Sequence, residues 1–310
     1  MKISQTTLPS TDQVHQLHLA LWQPEKEIRG TVQLIHGMVE HISRYQEFAE
    51  MLALNGFFVI GHDQIGHGES ILSAEDFGRF PANGGNILVA DVEKVRRYAQ
   101  EKVSSRRYFL LGHSLGSLIL RNYLIEYPDI PLTGAIIMGT AYAPSVKMNS
   151  ALFLADLIRK FCGENYRSKF LENLVLGQNN RVFEPARTEK DWLTRDQEIV
   201  DAYLNDPLIR DIFTVQAYHE LFVLTKRASD QKLLAKIDPA LPLLLISGAE
   251  DPVGNFGKDV KKLAALLAVL HKKADLELLP ADRHEVLNEI DRKETYQKLL
   301  TWMMQQTTRT

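Results

Sequence analysis

Between residues 31 and 138, short β-rich or apolar runs at 31–35, 57–60, 108–111 and 134–138 alternate with longer stretches that carry helical periodicity. Tyr45, Phe48, Ala49 and Leu52 make one such stripe, stopped by Asn55-Gly56; Leu88, Val92, Val95 and Ala99 make the next. Strands buried on both faces read as near-continuous apolar runs, and parallel neighbours need a crossover of about helix length between them. The alternation therefore predicts an α/β fold: a mostly parallel sheet with helices on both faces.

The rhythm breaks after Ala143. From 145 to 236 there is no strand pattern, only helical spacing such as Leu154, Leu157, Ile158 and Phe161, with scattered aromatics and nearly balanced charge. Asp238-Pro239 ends this stretch, and a strand pattern returns at 241–246. A helix carrying Val260, Leu263, Leu267 and Leu270 follows, then a strand near 276–279 and a terminal helix over about 292–304. The expected organisation is one discontinuous core, 1–144 with 237–310, interrupted by a helical cap at 145–236.

Composition narrows the function. A formal net charge of −3 and a pI near 6.4 argue against a protein held on nucleic acid or anionic membrane by bulk charge. No run approaches the ~18 apolar residues of a membrane span, so stable membrane insertion is not expected. The start, 1–7, has no apolar stretch of a secretory leader. A single cysteine, Cys162, excludes an internal disulfide framework and fits a reducing compartment. The expectation is a soluble cytoplasmic protein.

Gly112-His113-Ser114-Leu115-Gly116 matches G-x-S-x-G. The pattern alone is weak, but it follows the 108–111 strand and opens a helix, which is where a serine hydroxyl is presented on a strained turn. Serine is a poor nucleophile near neutral pH; it needs a base, and the base needs an orienting carboxylate. In this fold class the order is serine, acid, histidine, each after a strand's C-terminal end. Asp251 follows the 241–246 strand, and His284 follows the last one. Of ten histidines only His284 meets both conditions; Glu250 and Asp282 are rivals for the acid, but Asp282 follows the wrong strand. An oxyanion needs backbone donors. Leu115, after the serine, supplies one candidate N–H, and Met38, in the loop after the 31–35 strand, the other.

His36-Gly37-Met38-Val39-Glu40-His41 with Arg44-Tyr45, then 62–70 (His-Asp-Gln-Ile-Gly-His-Gly-Glu-Ser), then the serine motif, resemble the monoacylglycerol lipase and lysophospholipase-like branch of the α/β-hydrolases. The resemblance runs through Asp251 and His284 and is faint across 145–236. It implies a serine hydrolase acting on esters, often with one acyl chain, with Ser114, Asp251 and His284 as triad. Animal monoglyceride lipases carry a second histidine after the catalytic one; here Glu285-Val286-Leu287-Asn288 follow. Glu40 in the loop, with Phe153, Leu157 and Phe213 in the cap, are candidates for substrate contact. A serine peptidase of the same fold, and a non-catalytic small-molecule binder, are the alternatives.

No cofactor is expected, since no G-x-G-x-x-G follows a strand and there is no Walker loop. The pairs His36/His41 and His62/His67 are spaced i, i+5, which does not put both on one helix face, so no metal is expected either. These histidines should instead pin loops by hydrogen bonds.

Overall fold

The predicted runs become the middle strands of a larger sheet. The computed structural model describes residues 1–210 and 212–308. Its strands are β1 (Lys2–Pro9), β2 (Gln16–Gln23), β3 (Gly30–Ile35), β4 (Phe57–His62), β5 (Tyr108–His113), β6 (Gly134–Met138), β7 (Leu243–Gly248) and β8 (Ala274–Leu279). They lie in one sheet in the order β1-β2-β4-β3-β5-β6-β7-β8. From β4 to β8 every neighbouring pair is parallel; β1 on β2 and β2 on β4 are antiparallel.

Alternate residues of each central strand feed two apolar layers. On β5, Tyr108 and Leu110 face one layer with Leu88, Val92, Val95 and Ala99 of α2 (Gly84–Lys102), Ile119 of α3 (Leu115–Glu126) and Val260, Leu263 and Leu267 of α9 (Lys258–Val269). Phe109 and Leu111 face the other, with Phe48 and Leu52 of α1 (Gln46–Leu54) and Tyr296, Leu299 and Met303 of α10 (Arg292–Thr307). Both helical stripes expected in the first third are thus buried as the spacing predicts.

Register brings the strand ends level. Ile35 pairs with Gly112, His113 with Met138, Met138 with Ile246 and Gly248 with Leu279. The segments that follow β3, β5, β6, β7 and β8 therefore leave from one edge of the sheet, where open α/β folds bind their ligands.

Between β6 and β7 lie α4 (Ser145–Cys162), α5 (Lys169–Val175), α6 (Gln197–Asn205), α7 (Val215–Ala228) and α8 (Gln231–Leu234), with no strand among the described residues. Side-chain caps start four of them: Ser168, Asp196, Thr214 and Asp230 accept first-turn N–H groups. No helix among the described residues is long and apolar enough to cross a membrane.

Candidate active site

β5 ends at His113 and α3 starts at Leu115, leaving Ser114 alone at φ 53°, ψ −116°. A non-glycine residue held there costs of order 1–3 kcal/mol and persists only where its surroundings over-determine it. They do so here: Ser114 N–H donates to Met138 O at 3.0 Å, and Ser117 Oγ donates to Ser114 O at 2.6 Å. The flanking glycines are required by contact. A Cβ on Gly112 would strike Gly116 O, and one on Gly116 would strike the carbonyl oxygens of Ile35 and His36. At the first helical position, Leu115 N–H has no acceptor within its own helix, as at every helix start.

Asp251, fully buried after β7, meets His284 from the loop after β8. His284 Nδ1 donates to Asp251 Oδ1 at 3.0 Å; the same oxygen accepts Val253 N–H at 2.9 Å. With Nδ1 so engaged, Nε2 is the nitrogen available for proton exchange. The ring is fixed by His113, its centroid 4.8 Å away, and by Trp192, at 5.2 Å. His113 Nε2 also lies 3.2 Å from His284 O. Ser114, Met38, Leu115 and His284 all face one cavity of about 1130 Å³.

Behind this wall is a buried charged network. Gly37 N–H donates to Glu40 Oε1 at 2.5 Å, as does Tyr45 OH at 3.0 Å, and His113 Nδ1 sits 3.1 Å from the same oxygen. Arg44 donates to Glu40 Oε2 and forks onto both oxygens of Glu285. Burial pushes each group toward neutrality, but partners win. Arg44 and His113 hold the Glu40 carboxyl well below its ordinary range, and Arg44 does the same for Glu285. Burial also lowers His113, yet Glu40 and then Glu285 hold it above its ordinary value.

Three of the four residues expected to contact substrate, Phe153, Leu157 and Phe213, lie off the cavity. Glu40 does border the cavity, but its carboxylate is committed to Gly37, Tyr45, His113 and Arg44, so it braces the loop. Phe153 and Leu157 point to solvent, 70% and 43% exposed, because the cavity-facing stripe of α4 is Met148, Ala151 and Leu154. Phe213 is fully buried away from the cavity, packed edge-on to Phe80 and His67. Further apolar lining includes Leu118, Tyr218, Leu221 and Phe222.

The other histidines divide. His36 Nε2 accepts Gln64 N–H at 2.9 Å, His41 Nε2 meets Asp206 at 2.9 Å, and His67 Nδ1 lies 3.1 Å from Ile65 O, so these three tie loops as expected. His62 does not: its buried ring has no hydrogen-bond partner among the described residues, and burial pushes it down to about 3. Asp282, Glu289 and Asp291 cluster beside the His284 loop, where Arg195 donates to all three. Arg44, His113, Glu285, Trp192 and Tyr203 carry no spacing signal that marks them as part of this site. Two hints were present: a charged residue directly after His284, and a histidine inside the serine motif.

Strand order and the serine turn after β5 place the chain among the α/β-hydrolases. The family model described as serine aminopeptidase, S33 (Hydrolase_4) matches residues 26–291, and the chain belongs to that family, in its monoglyceride lipase and lysophospholipase-like branch. It is 26% identical over 284 residues to a monoglyceride lipase of Rattus norvegicus, covering 87% of this chain and 84% of that one. A monoacylglycerol lipase of Mycolicibacterium smegmatis is 24% identical over 290 residues, covering 92% and 91%. A thermostable carboxyl esterase of Bacillus coagulans, solved in complex with glycerol, shares the fold with TM-score 0.92 at 23% identity over 99% of each chain.

Proposed function

We propose that the protein is a serine hydrolase that cleaves carboxylic esters of single-chain lipids, of monoacylglycerol or lysophospholipid type, in the cytoplasm. The observation that carries this reading is the strained Ser114 opening, with the Asp251–His284 pair, into one largely apolar cavity. At about 1130 Å³ it exceeds the roughly 300–1,000 Å³ of ordinary small-molecule sites, room for an acyl chain with its head group. The names of the rat and mycobacterial relatives support the ester class.

His284 Nε2 takes the Ser114 hydroxyl proton as Oγ attacks the ester carbonyl. The Met38 and Leu115 N–H groups receive the oxyanion. Collapse breaks the ester C–O bond, and the proton on His284 passes to the leaving alcohol. Water, deprotonated by the same nitrogen, then releases the acid and restores Ser114. Asp251 keeps the imidazole in the required tautomer throughout. The 145–236 helices act as a cap, with Met148, Ala151 and Leu154 along the acyl path.

The family description names an aminopeptidase, which needs a free carboxylate for a substrate ammonium. Glu40 and Glu285, the two lining carboxylates of the buried network beside Ser114, are already engaged by Arg44 and His113, so neither is free for an ammonium there; Glu172, Glu189 and Asp259 also line the cavity, and the anilide arm of the test decides whether one of them serves. The test is labelling with a fluorophosphonate and mapping the adduct by mass, beside turnover of p-nitrophenyl esters and aminoacyl p-nitroanilides. The expected result is an adduct on Ser114 and ester turnover abolished in Ser114→Ala. An adduct on another serine, or faster anilide than ester cleavage, overturns it.

A further inference from the structure

The loop that carries Met38 is held from two sides, and one of them is the cap. On the core side, Glu40 takes the Gly37 N–H and Asp63 Oδ1 takes Ile42 N–H at 2.7 Å. Between these anchors Val39 sits at φ 54°. A β-branched residue at positive φ is an outlier, because its Cβ substituents crowd the backbone. Such a conformation relaxes unless neighbours hold it.

The neighbours that hold Val39 belong to α6 and its C-cap. Tyr203 OH donates to Val39 O at 2.9 Å, and Asp206 Oδ2 meets His41 Nε2 at 2.9 Å. Tyr203 is itself steadied by the Arg44 guanidinium, 4.9 Å from its ring centroid. Two cap residues three apart thus grip the carbonyl after Met38 and the side chain two positions further on. The Leu115 donor, by contrast, is fixed within the core by the helix start.

We infer that Tyr203 is a positioning residue for the hydrolysis: through Val39 O, with Asp206 on His41, the cap holds the Met38 peptide in the strained geometry that aims its N–H at the oxyanion. The inference rests on the reading of Met38 as an oxyanion donor. It makes the cap part of the catalytic apparatus, since undocking α6 leaves the Leu115 donor in place and loses aim in the other. Losing one oxyanion donor costs about 10²–10³ in kcat, and partial misplacement costs less.

The test uses p-nitrophenyl butyrate, whose short chain makes little demand on the cap lining. Tyr203→Phe keeps the ring over Arg44 and removes only the hydroxyl; kcat should fall roughly ten- to a hundredfold with KM within about twofold. Binding of a short alkyl trifluoromethyl ketone, which adds Ser114 to form an oxyanion, should weaken in proportion. Asp206→Ala should show the same pattern. Val39→Gly in the Tyr203→Phe background should restore most of the lost kcat, because glycine adopts positive φ without restraint. Wild-type kcat in both Tyr203→Phe and Asp206→Ala, or a kcat loss with ketone affinity unchanged, overturns the inference. If Ser114→Ala is inactive in the same assays, the nucleophile stands regardless; if it is fully active, the underlying reading falls too.

Discussion

The Arg44 guanidinium and the Glu285 carboxylate meet edge to edge, Nη1 on Oε1 at 2.7 Å and Nη2 on Oε2 at 2.6 Å, with both side chains nearly closed to solvent. They are 241 positions apart in sequence, so the pair joins the loop after β3 to the loop carrying His284. A forked, charge-assisted pair fixes orientation as well as distance.

Breaking such a buried pair leaves one charge without compensation, at a cost of about 3–5 kcal/mol. Arg44→Met and Glu285→Met should each destabilise the protein by about that much. The double variant should lose distinctly less than the sum, because no orphan charge remains. Urea unfolding of all four proteins gives the coupling energy; simple additivity would falsify the assignment of Arg44 and Glu285 as a coupled pair.

The Ser114 turn makes a second prediction. Alanine is ordinarily the more stable choice over glycine, by about 0.4–1 kcal/mol through the unfolded chain. At φ 53° the order should invert, with Ser114→Gly more stable than Ser114→Ala by about 1 kcal/mol and both inactive. Denaturant midpoints of the two variants decide it.

A third concerns chain length. Ala151→Phe should fill the cavity beside α4 and shorten the preferred p-nitrophenyl ester, whereas Phe153→Ala and Leu157→Ala should leave the preference alone. Each methylene excluded is worth about 0.8 kcal/mol, or roughly fourfold in kcat/KM. A shift in the Phe153 or Leu157 variant, with none in Ala151→Phe, would reverse the assigned face of α4.

Asp282 supplies the pH dependence. Burial, with repulsion from Glu289 and Asp291, pushes its carboxyl up to about 7 against the pull of Arg195. Between the unfolded value near 4 and 7, the native state therefore holds a proton that the unfolded chain has released. Stability from this group is full below that window and declines as pH rises through it. Asp282→Asn cannot titrate, so the difference in unfolding free energy between pH 4.5 and 7.5 should change in its favour. Parallel profiles for variant and wild type would exclude Asp282 as the source.

Much of this was legible in the chain, and the remainder was hidden for identifiable reasons. Strands β3 to β7 announce themselves because burial on both faces demands unbroken apolar runs. Ser114, Asp251 and His284 could be picked out as candidates because this fold class presents serine, acid and histidine in a fixed order, each after a strand. β1 and β2 carry no such strand signal: β1 is exposed along most of its length. β2 interrupts its apolar run with His18, whose ring finds its partner, Asp63, only in the fold. Helix α4 shows the limit of periodicity. The Phe153, Leu157, Phe161 stripe is helical in spacing, yet nothing in spacing says whether it faces a cavity or water. Arg44 and Glu285, 241 positions apart, show no sign of their pairing until the fold brings them together.

The contact between Trp192 and His284 gives the molecule an optical reporter. The chain has three tryptophans; Trp22 and Trp302 lie in the apolar layer with α1 and α10, while Trp192 lies against the imidazole, its ring tilted by 39°. A protonated imidazole accepts electron density from an excited indole, so the emission of Trp192 should dim whenever His284 carries a proton. With Trp22 and Trp302 changed to phenylalanine, that emission should report on the imidazole without any label attached.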